Sequence, residues 1–316
     1  MQLNALTQLY LDFLKSETFI GTPTTLYDSM NYIMSLGGKR IRPALVLAGN
    51  HMAAGTPNSA LPIAHAIEIF HNFSLVHDDI MDAALVRRGN PTVHVKWNEP
   101  TAILSGDNLL IFAYKYLLNY DGPNKDLILS IFSDTAVKIC EGQQWDMEFA
   151  YTPAVSEENY LLMIQYKTAV LLGCALQCGG LSAGISKEHS HLLYELAIDI
   201  GMQFQLMDDY LDAFGEEFLI GKKSGGDIIE GKKTWLYIKS EELDKNTESW
   251  FNSYLGDDRV TVIKQHWLSM GLDKMILQKA EHYKLRAENK IMSWEQLGYS
   301  SEILTEILDF LSGRKA

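Results

Sequence analysis

Apolar and polar residues along this 316-residue chain seldom alternate one by one. They recur instead three and four positions apart, the spacing of a helix with one buried face. The stretch "DKMILQKAEHYKLRAENKIM", residues 273–292, shows it best, with Met275, Ile276, Ala280, Tyr283, Ala287 and Ile291 repeating at helical intervals. Proline placement agrees. All eight prolines (23, 43, 57, 62, 91, 100, 123 and 153) lie in the first half, and residues 154–316 contain none, so the second half is free to form long helices. Asp126, Ser156 and Ser186 stand where helix N-caps are expected. Neither a solenoid-length repeat nor a low-complexity tract appears, so the pattern predicts one all-α domain over residues 1–316, a bundle of long helices.

One uncharged segment, residues 168–186, lies between Lys167 and Lys187 and is long enough to be weighed as a membrane span. It carries Thr168, Gln177, Ser182 and four glycines. A central helix packed closely through small residues is the better expectation, with no stable membrane insertion. The first residues lack a basic stretch before their apolar run, so no signal peptide is expected and the protein is assigned to the cytoplasm. A net charge of −13 argues against a nucleic-acid partner, whose phosphates demand a basic face. Cys140, Cys174 and Cys178 form no CxxC pair; Cys174 and Cys178 share a helix face and read as small core residues.

Against that acidic background, "LVHDDIMDAALVRRGNPTVH", residues 75–94, stands out. Asp78, Asp79 and Asp82 interrupt an apolar helix, and unpaired buried carboxylates are costly. The stretch "FQLMDDYLDAFGE", residues 204–216, repeats the spacing with Asp208, Asp209 and Asp212. On a helix, positions i and i+4 share a face, so each motif aims its first and last carboxylates together and its middle one aside. A single acidic motif of this kind is usually a solvated face. Two of them, both embedded in apolar helix, point to a shared site for Mg²⁺, a hard cation usually completed by water and substrate phosphate.

Basic residues supply the complement. "GGKRIRP", residues 37–43, places Lys39, Arg40 and Arg42 at a helix start; Arg87 and Arg88 follow the first acidic motif; Lys167 precedes the central helix. Lys222 and Lys232 bracket the glycine-rich stretch 221–235, which also contains Asp227. Isolated lysines and arginines are ordinarily surface charges, but this grouping suits two diphosphates, one held through metal and one by direct contact.

The motifs "GGKRIRP", "DDIMD" followed by "RRG", "GQQWD", "YKT", "GMQFQLMDDYLD" and "GKKSGGDIIEGKKT" occur in the order found in the trans-isoprenyl diphosphate (polyprenyl) synthases, which the sequence resembles over nearly its whole length. The resemblance implies an all-α bundle around a central active-site cavity, a homodimer, and Mg²⁺-dependent head-to-tail condensation of isopentenyl diphosphate with an allylic diphosphate. By the family pattern, Asp78, Asp82 and Asp208 would hold the metal, while Asp79, Asp209 and Asp212 shape and charge its surroundings. Arg87, Lys167, Lys222 and Lys232 would contact the allylic diphosphate. Lys39, Arg42, His71 and Arg88 would hold isopentenyl diphosphate, and Gln143, Asp146, Thr168 and Gln205 would line the reacting region.

Ile67, Phe70, Phe73 and Ser74, counted back from Asp78 by helical turns, read either as ordinary core or as a floor limiting the product. In the family, an aromatic residue five positions before the first aspartate marks short-chain enzymes, and a second one at four positions marks farnesyl producers. Phe73 with the small Ser74 therefore resembles the geranylgeranyl type, with farnesyl second. Three other readings are weighed. A class I terpene cyclase shares the first acidic motif but pairs it with a second motif unlike "DDYLD". A helical di-iron protein would use Glu68–His71 and Glu188–His191. A non-catalytic partner subunit would typically have lost its acidic motifs.

Overall fold

Helices form where the periodicity places them. The computed structural model describes residues 1–215 and 224–312. In chain order it contains α1 (Leu3–Ser16), α2 (Thr24–Ser35), α3 (Ile41–Met52), a 3₁₀ turn (Pro57–Ala60), and α4 (Leu61–Met81). A hairpin of two-residue strands follows, β1 (Val86–Arg87) and β2 (Asn90–Pro91), then α5 (Val93–Lys96), α6 (Glu99–Asn119), α7 (Lys125–Phe149) and α8 (Glu157–Ile164). A π turn (Gln165–Ala169) leads into α9 (Val170–Ser182) and α10 (Lys187–Phe214). The rest comprises α11 (Gly226–Glu230), α12 (Trp235–Leu243), α13 (Thr247–Ser253), α14 (Gly256–Ser269), α15 (Leu272–Gln296) and α16 (Glu302–Ser312). The fold class is all-α, as the sequence predicts.

Local chemistry explains the boundaries. Pro62 and Pro100 sit in the first turns of α4 and α6, where a missing N–H costs nothing. Asn98 caps α6 by accepting from the Thr101 N–H at 2.8 Å. Ser156 and Ser186 act as caps, accepting from Asn159 and His189 N–H, each at 3.2 Å. Asp126 does not. Helix α7 already begins at Lys125, so Asp126 lies inside its first turn, where its charge still complements the helix N-terminus.

The chain divides into two compact units. One comprises Met1–Ser133 with Cys174–Leu193; the other comprises Asp134–Gly173 with the described residues from Tyr194 onward. In the first, α4 packs chiefly on α6 and α3. Its buried face includes Ile63, Ile67, Phe70, Phe73 and Val76. Helices α3 and α9 meet backbone to backbone. A Cβ on Gly179 would lie 2.1 Å from the Val46 carbonyl oxygen, and one on Gly49 would lie 2.3 Å from that of Leu176. Small residues in α9 thus serve protein packing. The helical stretch Glu157–Ser182 has the length and apolarity of a membrane span, yet 67% of its apolar window is buried by protein.

In the second unit, α15 buries Leu272, Ile276, Ala280, Ala287, Ile291 and Trp294 on one face. Met275 and Tyr283, read from the sequence as part of that stripe, flank it and are half-buried. Asp199 on α10 is fully buried beneath α15, where Arg286 approaches it at 2.9 Å and Lys290 donates to it.

Candidate active site

In the first unit the acidic motif occupies the last turn of α4. Asp79 is 1% exposed and turns inward, where Arg87 clamps it: Nε lies 2.8 Å from each carboxylate oxygen and one terminal nitrogen 2.7 Å from Oδ1. The tight reversal after α4 brings Arg87, eight residues on, back over the helix end. Two parallel contacts from a guanidinium fork are the strong form of such a pair. Asp78 is half-buried and Asp82 exposed, the latter at the C-cap of α4. The carboxylate that points aside is therefore compensated by Arg87.

The basic cluster stands beside it. Arg42 donates to His71 Nε2 at 3.1 Å, and Arg88 donates to the carbonyl oxygens of Leu36, at 2.9 Å, and Gly37. Loss of solvent pushes the Arg42 guanidinium down to about 10, against the attraction of Glu68 and helped by repulsion from Arg88. Burial, followed by repulsion from Arg42, Arg88, Arg87 and Arg40, holds His71 well below its usual range. A guanidinium can only donate, so His71 accepts from it through Nε2. Lys39 is exposed on the same turn. Arg40, by contrast, is turned inward onto Glu68. A net positive surface with a neutral acceptor at its centre suits a polyanion.

Behind the acidic turn lies an aromatic cluster. Phe70 and Phe73 are both buried, with ring centroids 5.3 Å apart, and Phe70 meets Phe132 edge-on at 5.2 Å. Phe73 also contacts His77, at 5.0 Å. Ser74 is half-buried and donates to the His71 carbonyl oxygen at 2.9 Å.

In the second unit the acidic motif lies on α10. Asp209 is buried, receiving the Tyr160 hydroxyl on Oδ2 and Gln205 Nε2 on Oδ1 at 3.2 Å. Thr168 donates to the Gln205 carbonyl oxygen at 3.1 Å, which fixes the amide's orientation. Burial pushes Asp209 up to about 7, opposed by the Tyr160 and Gln205 hydrogen bonds and reinforced by Asp227 and Asp208. Asp212 is buried and accepts from the Asp227 N–H at 3.0 Å, organising the start of α11. Asp208 is half-buried.

Lys167 sits in the π turn, a distortion that recurs at functional sites because it re-aims side chains. Helix α7 presses on that turn so closely that a Cβ on Gly142 would lie 2.4 Å from the Lys167 nitrogen. Lys167 Nζ is 2.5 Å from Asp146 Oδ2, and Lys232 lies 3.7 Å from the same oxygen. Burial alone would raise the Asp146 carboxyl, but the two ammonium groups hold it below its ordinary value. Gln143, one turn earlier on α7, is buried. Lys222 lies outside the described residues.

Tyr160 escaped the sequence reading. It lies 49 positions before Asp209, and nothing local distinguishes it from an ordinary core tyrosine. A di-iron site would need the Glu68 carboxylate free for metal. The structure gives that carboxylate to Arg40 and to Asn72 Nδ2, at 3.2 Å, and Glu188 is exposed at the start of α10; the di-iron reading therefore fails.

The metal-bearing reading can be tested on donor chemistry. Asp78, Asp82 and Asp208 offer hard oxygens at half-buried or exposed positions. Among the described residues no three His, Cys, Asp or Glu side chains converge into an all-protein cage. Sparse carboxylates of this kind fit Mg²⁺, which prefers to retain waters and bind phosphate oxygens.

The sequence profile of the polyprenyl synthetase family matches residues 23–267. The short chain isoprenyl diphosphate synthase of Methanothermobacter thermautotrophicus is 43% identical over 222 residues, 70% of this chain and 68% of that protein. The geranylgeranyl diphosphate synthase of Methanosarcina mazei is 41% identical over the same length and coverage. A crystal structure of a geranylgeranyl pyrophosphate synthase superposes with a TM-score of 0.92 at 42% identity, covering 100% of both chains. The chain accordingly belongs to the polyprenyl synthetase family and is a trans-prenyltransferase.

Proposed function

We propose that this prenyltransferase condenses isopentenyl diphosphate with an allylic diphosphate (dimethylallyl, geranyl or farnesyl) and releases geranylgeranyl diphosphate, with farnesyl diphosphate as the second reading. One observation carries this best. In each acidic motif the middle aspartate is spent inside the protein, Asp79 on Arg87 and Asp209 on Tyr160, while the first, Asp78 or Asp208, remains only half-buried. A carboxylate kept near the surface of an apolar helix is placed for a ligand.

Asp78, Asp82 and Asp208 would hold Mg²⁺, which supplies neutralisation of the departing diphosphate when bound. Both acidic motifs then serve one substrate, and the chain works as a single catalytic domain. Lys167 and Lys232, held together on Asp146, offer two ammonium groups to the allylic diphosphate, joined in this reading by Lys222 and Arg87. Lys39, Arg42 and Arg88 seat the second diphosphate, with His71 fixing Arg42. Ionisation of the allylic C–O bond leaves a diphosphate anion and a delocalised carbocation. Cationic side chains already in place stabilise the anion without reorganising. The homoallylic double bond attacks the cation, and the departing diphosphate takes the proton.

Incubation with isopentenyl diphosphate and each allylic starter, followed by product chain-length analysis, tests the assignment. Geranylgeranyl diphosphate is expected. Consumption of a prenyl diphosphate with no uptake of isopentenyl diphosphate would indicate a cyclase instead. The buried Phe73 is proposed as the floor for the growing tail. Phe73→Ala is expected to lengthen the product by one or more isoprene units; an unchanged product distribution would return Phe73 to ordinary core.

A homodimer is part of this proposal. Leu104, Ile111 and Leu118 on α6, seven residues apart, are 59%, 57% and 54% exposed, an apolar stripe that a second copy would cover. Sedimentation at micromolar concentration should give the dimer mass, and a monomer would remove this element. A cytoplasmic setting suits the three cysteines, none of which is in a disulfide.

A further inference from the structure

Of the cations in the 37–43 turn, Arg40 is the one turned fully inward. Its side chain is 4% exposed and that of Glu68, its partner, 3%. One guanidinium nitrogen donates to Glu68 Oε1. The other donates to the carbonyl oxygens of Met34, at 2.6 Å, and Leu36, at 3.0 Å, at the end of α2. The Arg40 backbone lies in the left-handed region, φ 48 and ψ 39, where a non-glycine residue persists only if its surroundings hold it.

Two features tie this pair to the basic cluster. The Leu36 carbonyl that Arg40 fixes also accepts from Arg88, at 2.9 Å. Glu68 and His71 stand one turn apart on the same face of α4. Arg40–Glu68 and Arg42–His71 are therefore successive rungs joining the turn to α4. Losing the first rung would shift both the carbonyl that aims Arg88 and the register that aims Arg42.

We propose that Arg40 and Glu68 are positioning residues for the diphosphate-binding cluster of Arg42, His71 and Arg88, setting the turn against α4 without touching the ligand. This rests on the reading that the cluster seats isopentenyl diphosphate. Arg40→Lys keeps the charge but cannot span Glu68 and two carbonyls at once. A second variant, Arg40→Met with Glu68→Leu, replaces the buried pair by apolar groups of similar size, an exchange that commonly preserves folding.

Steady-state kinetics of both variants should show KM for isopentenyl diphosphate raised about tenfold or more. KM for the allylic substrate and kcat at saturation should stay within about twofold. Thermal unfolding is recorded alongside, so the double variant reports on positioning even if Arg40→Lys unfolds. Two results overturn the inference: a folded variant with wild-type KM for isopentenyl diphosphate, or a parallel rise for both substrates, the pattern of general loosening. Arg42→Ala separates the two levels. If it raises KM for isopentenyl diphosphate while the Arg40 variants do not, only the positioning role falls. If it leaves that KM unchanged, the cluster reading fails and the inference falls with it.

Discussion

Asp208→Ala is expected to lower turnover by at least about 10²–10³-fold, the loss typical of removing one preorganised electrostatic contact, and Asp78→Ala should do the same. Both side chains are half-buried, so neither substitution removes a core residue, and circular dichroism and thermal unfolding should stay near wild type. The effect should fall mainly on kcat, because the contact strengthens as the diphosphate takes on charge. Raising Mg²⁺ should partly rescue Asp208→Asn, which keeps shape and one oxygen, more than Asp208→Ala. Asp209→Ala should behave differently. It strips a partner from the buried Tyr160 hydroxyl and lowers stability along with activity. Near-normal Mg²⁺-dependent condensation by either Asp208→Ala or Asp78→Ala would falsify the metal assignment.

Gly179→Ala should destabilise the protein although helix propensity argues the opposite. Inside a helix, glycine-to-alanine replacement ordinarily gains about 0.5–1 kcal/mol. Here the new methyl would lie 2.1 Å from the Val46 carbonyl oxygen and 3.0 Å from its Cα, atoms that no side-chain rotation can move aside. Separating α3 from α9 to admit it costs on the order of 3 kcal/mol, so the overlap outweighs the propensity gain. Gly49→Ala, facing Leu176 and Gly180 backbone across the same contact, should act alike. Urea unfolding midpoints decide the sign. An increase in midpoint for either variant would show that the two helices can part freely.

Much of this was legible in the residue order, and the exceptions share a cause. The stripe Ile276, Ala280, Ala287 and Ile291 and the caps Ser156 and Ser186 depend only on near neighbours, and all of them appear as read. The alternation expected from helix geometry appears in the first motif, where Asp79 alone is buried; in the second, Asp212 is buried along with Asp209, because it accepts from the start of α11. Partner choice was not legible. Arg87 folds back onto Asp79 through a turn, Tyr160 reaches Asp209 across 49 residues, and Arg40, two residues from Arg42, turns inward onto Glu68 from a left-handed backbone. Side-chain chemistry is the same in each pair of alternatives; only tertiary placement separates them. Asp126 shows the smaller limit, a helix starting one residue before a good capping side chain.

The cysteines carry a last consequence for how the enzyme ages. Cys174 and Cys178 lie with sulfurs 3.8 Å apart, sealed from solvent, and the hydrogen bond between them, aided by burial, pushes the Cys178 thiol well above its ordinary range. Both sulfurs are fully buried, so solvent oxidants do not reach them while α9 stays packed. Cys140 alone is exposed and meets peroxide first. Damage to the inner pair therefore marks molecules that have already opened.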